Sequence, residues 1–313
     1  MKDLRALPKI RDSLSYLYLE HCKIEQDGLS IAIFDANGKT PIPCAALCVL
    51  MLGPGTSITH AAIRALAGNG CLVQWTGEES VRFYASGTGE TRNASNLYRQ
   101  AILSSIAALR NKVIRRMYQL RFNDILSDDM TLQQIRGMEG VRVREAYAAA
   151  SKLTGVPWVG RSYKRENWKN SDPVNRALSS ANSCLYGVCH AAIVSIGLSP
   201  GLGFIHFGKQ LSFVYDVADF YKAEVSIPLA FKIASEGLTN VENRARIACR
   251  DYFKENRVLG RIVDDINRVL DVPIDIPQIK GQLFDDDEAA PGMLWDDKSG
   301  LIDGGENYGD DGV

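Results

Sequence analysis

SGTGETRNAS, residues 86–95, separates two parts of the chain whose apolar residues follow different periods. Ala94 is the only apolar residue in this stretch, and the two glycines are typical of a linker. Before it, Ser30–Phe34 alternates and Asn37-Gly38 is a two-residue hairpin signal. After it, apolar residues recur at helical spacing from Ile102 to Leu120. The sequence therefore predicts an α+β protein, with a β-rich domain followed by an all-helical one.

The predicted domain boundaries follow from this division. We expect an amino-terminal β-rich domain over residues 1–85, a linker over 86–95 and a helical catalytic domain over 96–280. Residues 281–313 are rich in acids and glycine, so we expect a tail that is disordered when no partner is present.

Caps and breakers place several helices. Ser57 or Thr59 caps a short helix over His60–Ala67, and Asp172-Pro173 starts a long helix that runs through Cys184 to about Ile196. A helix over Leu132–Leu153 is expected to be interrupted by its glycines.

The charge is unevenly distributed along the chain. Residues 285–313 contain ten Asp and Glu against one Lys, a local net charge of −9, within a total of −1. Residues 1–284 therefore carry about +8. A basic body of this size favours a polyanionic partner such as nucleic acid.

The remaining composition points to the cytoplasm. There is no run of eighteen apolar residues and no secretory signal at the start, so no membrane partner is expected. The seven cysteines form no CxxC pair and are expected to be reduced core residues.

Two carboxylates and a histidine form the main candidate site. Asp216 and Asp219 are about 60° apart on a mostly apolar helix that starts near Ser212, and such carboxylates raise each other's pKa unless a cation lies nearby. His206, on the Gly203–Gly208 turn before this helix, could add a nitrogen ligand. A set of imidazole and carboxylates without cysteine favours Mn²⁺ or Mg²⁺. The alternative is a solvated Asp pair and an isolated histidine.

Glu139 is a third candidate ligand. It lies between Gly137 and Gly140 on a helix that also bears arginines. Such glycines usually indicate close approach of a backbone or ligand. Either Glu139 forms salt bridges with these arginines, or it helps to bind a metal where phosphates also bind.

Several motifs together resemble one family. RGMEG around Glu139, SCLYGV around Tyr186, GFIHFGK around His206 and LSFVYDVADF around Asp216 and Asp219 occur in the order found in the CRISPR-associated spacer-acquisition integrases. PGTSITHAAIRALA and GEESVRFYASG, residues 54–67 and 77–87, also fit. The resemblance is nearest to the type I-E branch and covers about residues 10–270.

The resemblance implies a β-sandwich-like amino-terminal domain, a helical catalytic domain and a homodimer. It implies that Glu139, His206 and Asp219 are catalytic metal ligands, with Asp216 as a nearby second acid. It also implies a small ferredoxin-like CRISPR-associated partner protein, and insertion of captured double-stranded DNA at the leader end of the repeat array. The attack of a 3′-hydroxyl on a phosphodiester needs no protein nucleophile, and the chain has no convincing Ser-His or Cys-His motif.

The same resemblance, together with the basic helix after the linker, suggests DNA contacts. Arg82 matches a family arginine that contacts phosphate, and Tyr163 and Tyr186 match tyrosines near the active site. The further candidates are basic residues on predicted helices: Arg110, Arg115, Arg116, Arg244, Arg246 and Arg250. The chain departs from the pattern at Phe207, where a smaller polar residue is expected after His206.

The predicted activity is a metal-dependent DNA integrase with endonuclease activity that acts in CRISPR adaptation. The first alternative is a stand-alone metal-dependent nuclease that acts on branched DNA in repair and uses water as the nucleophile. The second is a non-catalytic DNA-binding scaffold.

Overall fold

The computed structural model describes residues 16–44, 47, 49–77, 83–87, 94–161, 172–274, 294–297 and 300–302. Its amino-terminal part is rich in strands, which are β1 Tyr16–Leu19, β2 Lys23–Asp27, β3 Ser30–Asp35, β4 Gly38–Ile42, β5 Val49–Leu52, β6 Ser57–Ile58, β7 Leu72–Thr76 and β8 Phe83–Gly87, with helix α1 His60–Gly68 between β6 and β7. The described residues that follow are mainly helical: α2 Ser95–Ser105, α3 Ala107–Gln119, α4 Leu132–Thr154, α5 Pro173–Ser195, α6 Ser212–Ala218, a π-helical turn Lys222–Ser226, α7 Ile227–Ser235, α8 Val241–Glu255 and α9 Val258–Leu270. This confirms the predicted α+β class.

Two four-stranded sheets form the amino-terminal part. The first has the order β1-β5-β7-β8, in which only the β7–β8 pair is antiparallel, and the second has the order β4-β3-β2-β6. The hairpin predicted at Asn37-Gly38 joins β3 to β4 in antiparallel register. Apolar side chains from both sheets and from α1 pack into one core. The predicted strand-rich domain is therefore built of two packed sheets.

Strand β5 is buried on both faces. Leu50 and Leu52 point into the core that the two sheets share, whereas Val49 and Met51 belong to a second apolar cluster on the opposite face. This explains why β5 is a continuous apolar run and does not alternate. Val194, near the end of α5, packs against that second cluster, so the sheet contacts the helical part directly.

Helix α5 lies at the centre of the helical part. It packs against α6, α7, α8 and α9. The predicted cap is confirmed, because the Asp172 side chain accepts a hydrogen bond from the Asn175 amide at 2.9 Å and Pro173 occupies the first turn. By length and composition α5 could cross a membrane, but 67% of its most apolar window is buried inside the fold, as expected for a core helix.

Some helix boundaries differ from the sequence prediction. The apolar stripe after the linker is divided at Ile106, which has an extended backbone (φ −91°, ψ 114°), so two helices form instead of one. Helix α4 passes through Gly137 and Gly140 without interruption. The tertiary packing of the surrounding helices outweighs the cost of about 1 kcal/mol that each glycine adds.

The acidic segment contains some regular structure. Strands β9 Leu294–Asp296 and β10 Gly300–Ile302 pair in antiparallel register. The sequence analysis predicts no structure there, because it rests on amino-acid composition, which gives no signal for a short hairpin. The rest of the predicted tail and most of the predicted linker lie outside the described residues.

His190 joins the two parts of the chain. Its ring, on α5, stacks on the Phe83 ring of β8 with centroids 3.7 Å apart, and His190 is only 8% exposed. Burial lowers the pKa of His190 to about 4, because the imidazolium loses its hydration there.

We expect His190 to make the fold acid-sensitive. Between pH 6.5 and 4 the unfolded chain binds a proton that the folded chain rejects, so this contribution to stability is lost as the pH falls. It amounts to about 2 kcal/mol of unfolding free energy at pH 5 relative to pH 8. Urea unfolding of His190→Gln should show a correspondingly smaller loss between these pH values. The exposed His60→Gln is the control, and equal losses in both variants would contradict the assignment.

Candidate active site

Asp216 organises the turn that carries His206. One of its oxygens, Oδ2, accepts the backbone N–H groups of Phe204 and Ile205 at 2.6 and 3.0 Å. The other, Oδ1, accepts the backbone N–H of His206 at 2.8 Å and bonds to its ring Nδ1 at 2.7 Å. Asp216 is 0% exposed. Four acceptor sites of one buried carboxylate are thus used to fix three consecutive residues.

Gly203 allows this turn to close. A Cβ at Gly203 would lie 2.5 Å from the carbonyl oxygen of His206 and 2.7 Å from the Cβ of Ser212. Gly208 ends the turn with φ +79°, in the left-handed region that favours glycine. The backbone between the two glycines therefore has little freedom to shift.

The contact with Asp216 stabilises the protonated form of the His206 ring. The hydrogen bond to Asp216 raises the pKa of His206 above its ordinary value, since it outweighs the partial burial of the ring. When Nδ1 donates to Asp216, the lone pair of the neutral imidazole lies on Nε2. A carboxylate behind a histidine in this way is the usual arrangement behind a metal-ligating imidazole.

Glu139 is held by two arginines. Arg142, one turn further along α4, binds it with two hydrogen bonds of 2.8 and 2.9 Å, and Arg121 approaches to 3.3 Å. The predicted salt bridges with arginine neighbours are therefore present. A Cβ at Gly137 or Gly140 would meet nothing within 4 Å, so neither glycine is needed for packing among the described residues.

Asp219 also has cationic partners. As the residue that ends α6, it bonds to Nζ of Lys222 at 2.7 Å through Oδ1 and lies 3.8 Å from Arg121 through Oδ2. Burial disfavours the Lys222 ammonium, but Asp219 and Tyr186 outweigh this and raise the pKa of Lys222 above its ordinary value. The ammonium lies 5.1 Å from the centre of the Tyr186 ring. Tyr186 is thus connected to Asp219 through Lys222.

Sequence reasoning missed the role of Arg121. An arginine at the end of a basic helix is expected to face solvent, yet the side chain of Arg121 is only 3% exposed. It bridges Glu139 and Asp219, and its guanidinium lies 5.0 Å from the Tyr118 ring centre. Arg121 lies after the end of α3, so its side chain cannot be assigned to a face of that helix. Helical periodicity therefore could not find it.

The acids and the imidazole fit a divalent cation in chemistry, but they are not preassembled. No three His, Cys, Asp or Glu side chains in the described ranges come together as a ready metal site. His206 offers a ring nitrogen, and Glu139 and Asp219 offer carboxylate oxygens, which are suitable donors. The two carboxylates are paired with cationic side chains, so binding a metal would require these ion pairs to loosen.

The sequence predicts Asp216 as a further acid at the metal, but its hydrogen bonds do not leave it free to act as a direct ligand. Its four acceptor sites are occupied by the 204–206 backbone and by His206. Direct ligation by Asp216 would break hydrogen bonds that a fully buried carboxylate needs. On an ideal helix Asp216 and Asp219 would lie on one face. Here Asp219 is the residue at which α6 ends and it pairs with Lys222 and Arg121, so the two carboxylates have different partners.

Several predicted DNA contacts have partners within the chain. Arg115 donates to backbone oxygens of the loop before α4, including that of Met130, and Arg116 donates to Arg268 O at 2.8 Å. Both hold neighbouring segments together. Arg110 donates to Phe204 O at 2.7 and 2.9 Å and so supports the His206 turn.

The remaining candidates are distributed over other regions. Arg244 bonds to Gly237 O and Glu236, and Arg250 pairs with Asp251 at the surface. Arg246 is partly buried, and its Nε has no hydrogen-bond partner among the described residues. Arg82 and Tyr163 lie outside the described residues. For all of these residues, DNA contact stays a prediction.

A family model, curated relatives and a solved structure all connect the chain with one protein family. A family model described as CRISPR associated protein Cas1 matches residues 15–245. The chain is 51% identical over 310 residues to the CRISPR-associated endonuclease Cas1 2 of Thermus thermophilus, covering 99% of this chain and 94% of that protein. It is 40% identical over 262 residues to the CRISPR-associated endonuclease Cas1 of Escherichia coli K12, covering 83% and 86%. The crystal structure of a TtCas1–DNA complex matches with a TM-score of 0.78 at 54% identity, over 85% of this chain and 100% of that one.

We expect the two aspartates to differ in their effect on stability. Asp216→Asn replaces two acceptor sites by donors that face backbone N–H groups, and should lower the unfolding free energy by about 3 kcal/mol. Asp219→Asn is the matched control and should cost about 1 kcal/mol or less, because Asp219 is partly exposed. Urea unfolding at pH 7.5 measures both. Equal losses would show that Asp216 does not organise the turn.

Proposed function

The chain belongs to the Cas1 family of CRISPR-associated proteins, and we propose that it is a divalent-metal-dependent DNA endonuclease and integrase of CRISPR adaptation. Its substrates would be captured double-stranded DNA and the leader-repeat junction of the array. The observation that carries the proposal is the His206–Asp216 pair, with its 2.7 Å contact, close to Asp219, which Arg121 links to Glu139. A fixed imidazole next to carboxylates suits phosphodiester chemistry.

In the proposed reaction a 3′-hydroxyl of the captured duplex attacks a repeat phosphodiester. A new phosphorus–oxygen bond forms as the bond to the leaving oxygen breaks. The attacking hydroxyl gives up its proton and the leaving oxygen takes one up, so the step consumes no net proton. Asp216 holds the turn so that His206 stays in one orientation and one tautomer. Lys222 and Arg121 both contact Asp219, and their positive charge would stabilise the negative charge that develops on the phosphoryl oxygens.

The proposed cofactor is Mg²⁺ or Mn²⁺. His206, Glu139 and Asp219 would hold it, because imidazole and carboxylate oxygen are the donors that the site offers and cysteine is not among them. When bound, such an ion neutralises charge on the reacting phosphate and activates the attacking oxygen. Asp216 would act behind His206 and not as a ligand.

The proposed DNA contacts rest on charge and on position. Residues 1–284 carry about +8, which favours the phosphate backbone at physiological salt. The similar Thermus protein has a structure determined as a DNA complex. In this chain Arg110 and Tyr186 lie nearest to the site and are the strongest candidates, followed by the surface arginines of α8.

We also propose the assembly that the family resemblance implies. The chain would form a homodimer and act in the cytoplasm with the small ferredoxin-like CRISPR-associated partner protein. The partner would set the distance between the two sites at which the ends of the captured duplex react.

Strand transfer tests the proposed function. The assay combines the protein, the candidate partner, a labelled short duplex and a supercoiled plasmid with a repeat, in Mn²⁺ or in EDTA. We expect covalent labelling of the plasmid that needs the metal and the partner. His206→Ala should lower it at least 100-fold, because it removes a metal donor and the group that Asp216 fixes. The exposed His60→Ala should retain wild-type activity.

The other outcomes separate the alternatives. Plasmid nicking without joined label, or cutting of branched DNA without the partner, would favour the stand-alone nuclease. Tight DNA binding with neither product would favour the scaffold. Full activity of His206→Ala would remove the site from the mechanism.

Arg121 provides a test that does not depend on turnover. Arg121→Met removes a buried positive charge that contacts both Glu139 and Asp219, so the site should bind Mn²⁺ roughly threefold to tenfold more tightly. Strand transfer should fall, because the two carboxylates lose the group that fixes them. Isothermal titration with Mn²⁺ alone measures the affinity. Arg121→Lys keeps the charge. Arg116→Met removes an arginine of α3 that donates to Arg268 O and contacts neither acid, so both variants should bind Mn²⁺ as the wild type does. Weaker binding by Arg121→Met would refute this role.

A further inference from the structure

Phe207 presents a large aromatic ring to solvent directly beside the candidate catalytic histidine. Its exposure is 81%, whereas the neighbouring Phe204 is only 1% exposed. A single exposed apolar side chain is common on a protein surface and requires no explanation by itself. The backbone that carries Phe207 and the cation beside it distinguish this residue from an ordinary surface phenylalanine.

The backbone of Phe207 is fixed. Asp216 binds the N–H groups of the three residues that precede it, and Gly208 follows in a left-handed conformation. The close contacts at Gly203 leave no room for the turn to relax inward. Because the Cα of Phe207 has little freedom, binding a ligand to its ring would require little further ordering of the protein.

A cation lies beside the ring. The Arg110 guanidinium donates two hydrogen bonds to Phe204 O, at 2.9 and 2.7 Å, and its central carbon lies 5.4 Å from the centre of the Phe207 ring. The geometry is that of a cation–π pair. An aromatic surface with a fixed positive charge next to it is the combination that binds a nucleobase together with its phosphate.

We propose that Phe207 and Arg110 form a base-stacking position, in which the Phe207 ring stacks on a nucleobase adjacent to the reacting phosphodiester. This inference rests on the proposed function, since it assumes that DNA enters the site of His206. The base must leave its place in the duplex to reach the ring, which is easiest at an end or a distorted junction. Stacking is tolerant of sequence, because every base has an aromatic face. Phe207 would therefore be a positioning residue that adds affinity without selecting a base.

The test compares variants of Phe207 on DNA with and without the base. Phe207→Ala should raise the KM for DNA roughly fivefold to fiftyfold and leave kcat within about twofold, whereas Phe207→Trp should preserve KM. Leu153→Ala, which changes a side chain that is 87% exposed elsewhere on the surface, should have no effect. All of these positions are exposed, so the variants should fold.

Substrates with one abasic nucleotide, placed in turn at each position flanking the reacting phosphate, supply the decisive comparison. At one position the wild type should lose affinity and become equal to Phe207→Ala, because the base that stacks is missing. The inference is overturned if Phe207→Ala matches the wild type on intact DNA, or if it is weaker by the same factor on every abasic substrate. Failure of the wild type to cut or join any DNA would instead refute the proposed function.

Discussion

The interaction on which the site depends is the burial of one carboxylate, Asp216, against a turn of backbone. A charged group at 0% exposure is tolerated only when its acceptor sites are filled, and here the turn 204–206 and the His206 ring fill them. The same four hydrogen bonds hold the turn in one conformation. Consequently the orientation of the His206 ring and the position of Phe207 both follow from one electrostatic requirement.

The other two acids of the site are paired with cationic side chains. Glu139 and Asp219 would repel each other if they were unpaired, but Arg121 lies between them, and Arg142 and Lys222 each add a further cation. This arrangement holds the two carboxylates close together through cationic side chains. An incoming cation would have to compete with these cationic side chains for the carboxylates, so groups that are not ligands would help to set the affinity for a metal.

Helix α5 connects this chemistry to the amino-terminal sheets. Cys189 and Ile193, in its second half, contribute to the core that contains α6, while Val194 and His190 contact the sheet strands. One helix therefore packs against the elements that carry the site and against the neighbouring domain. Its apolar composition is accounted for by these two contacts, which bury most of the helix inside the fold.

The sequence alone determined the class of the fold and named the main candidate site residues. The change of period at residues 86–95, the cap at Asp172 and the motifs around Glu139, His206 and Asp219 depend on local spacing, which is written in the chain. Only the tertiary structure decided what each of these groups contacts. Asp216 and Asp219 look equivalent on a helical projection, but the turn folds back onto one and the cations reach the other. Arg121, more than ninety residues away, becomes part of the site through packing that no local pattern records, because which distant groups meet is set by how whole elements pack together.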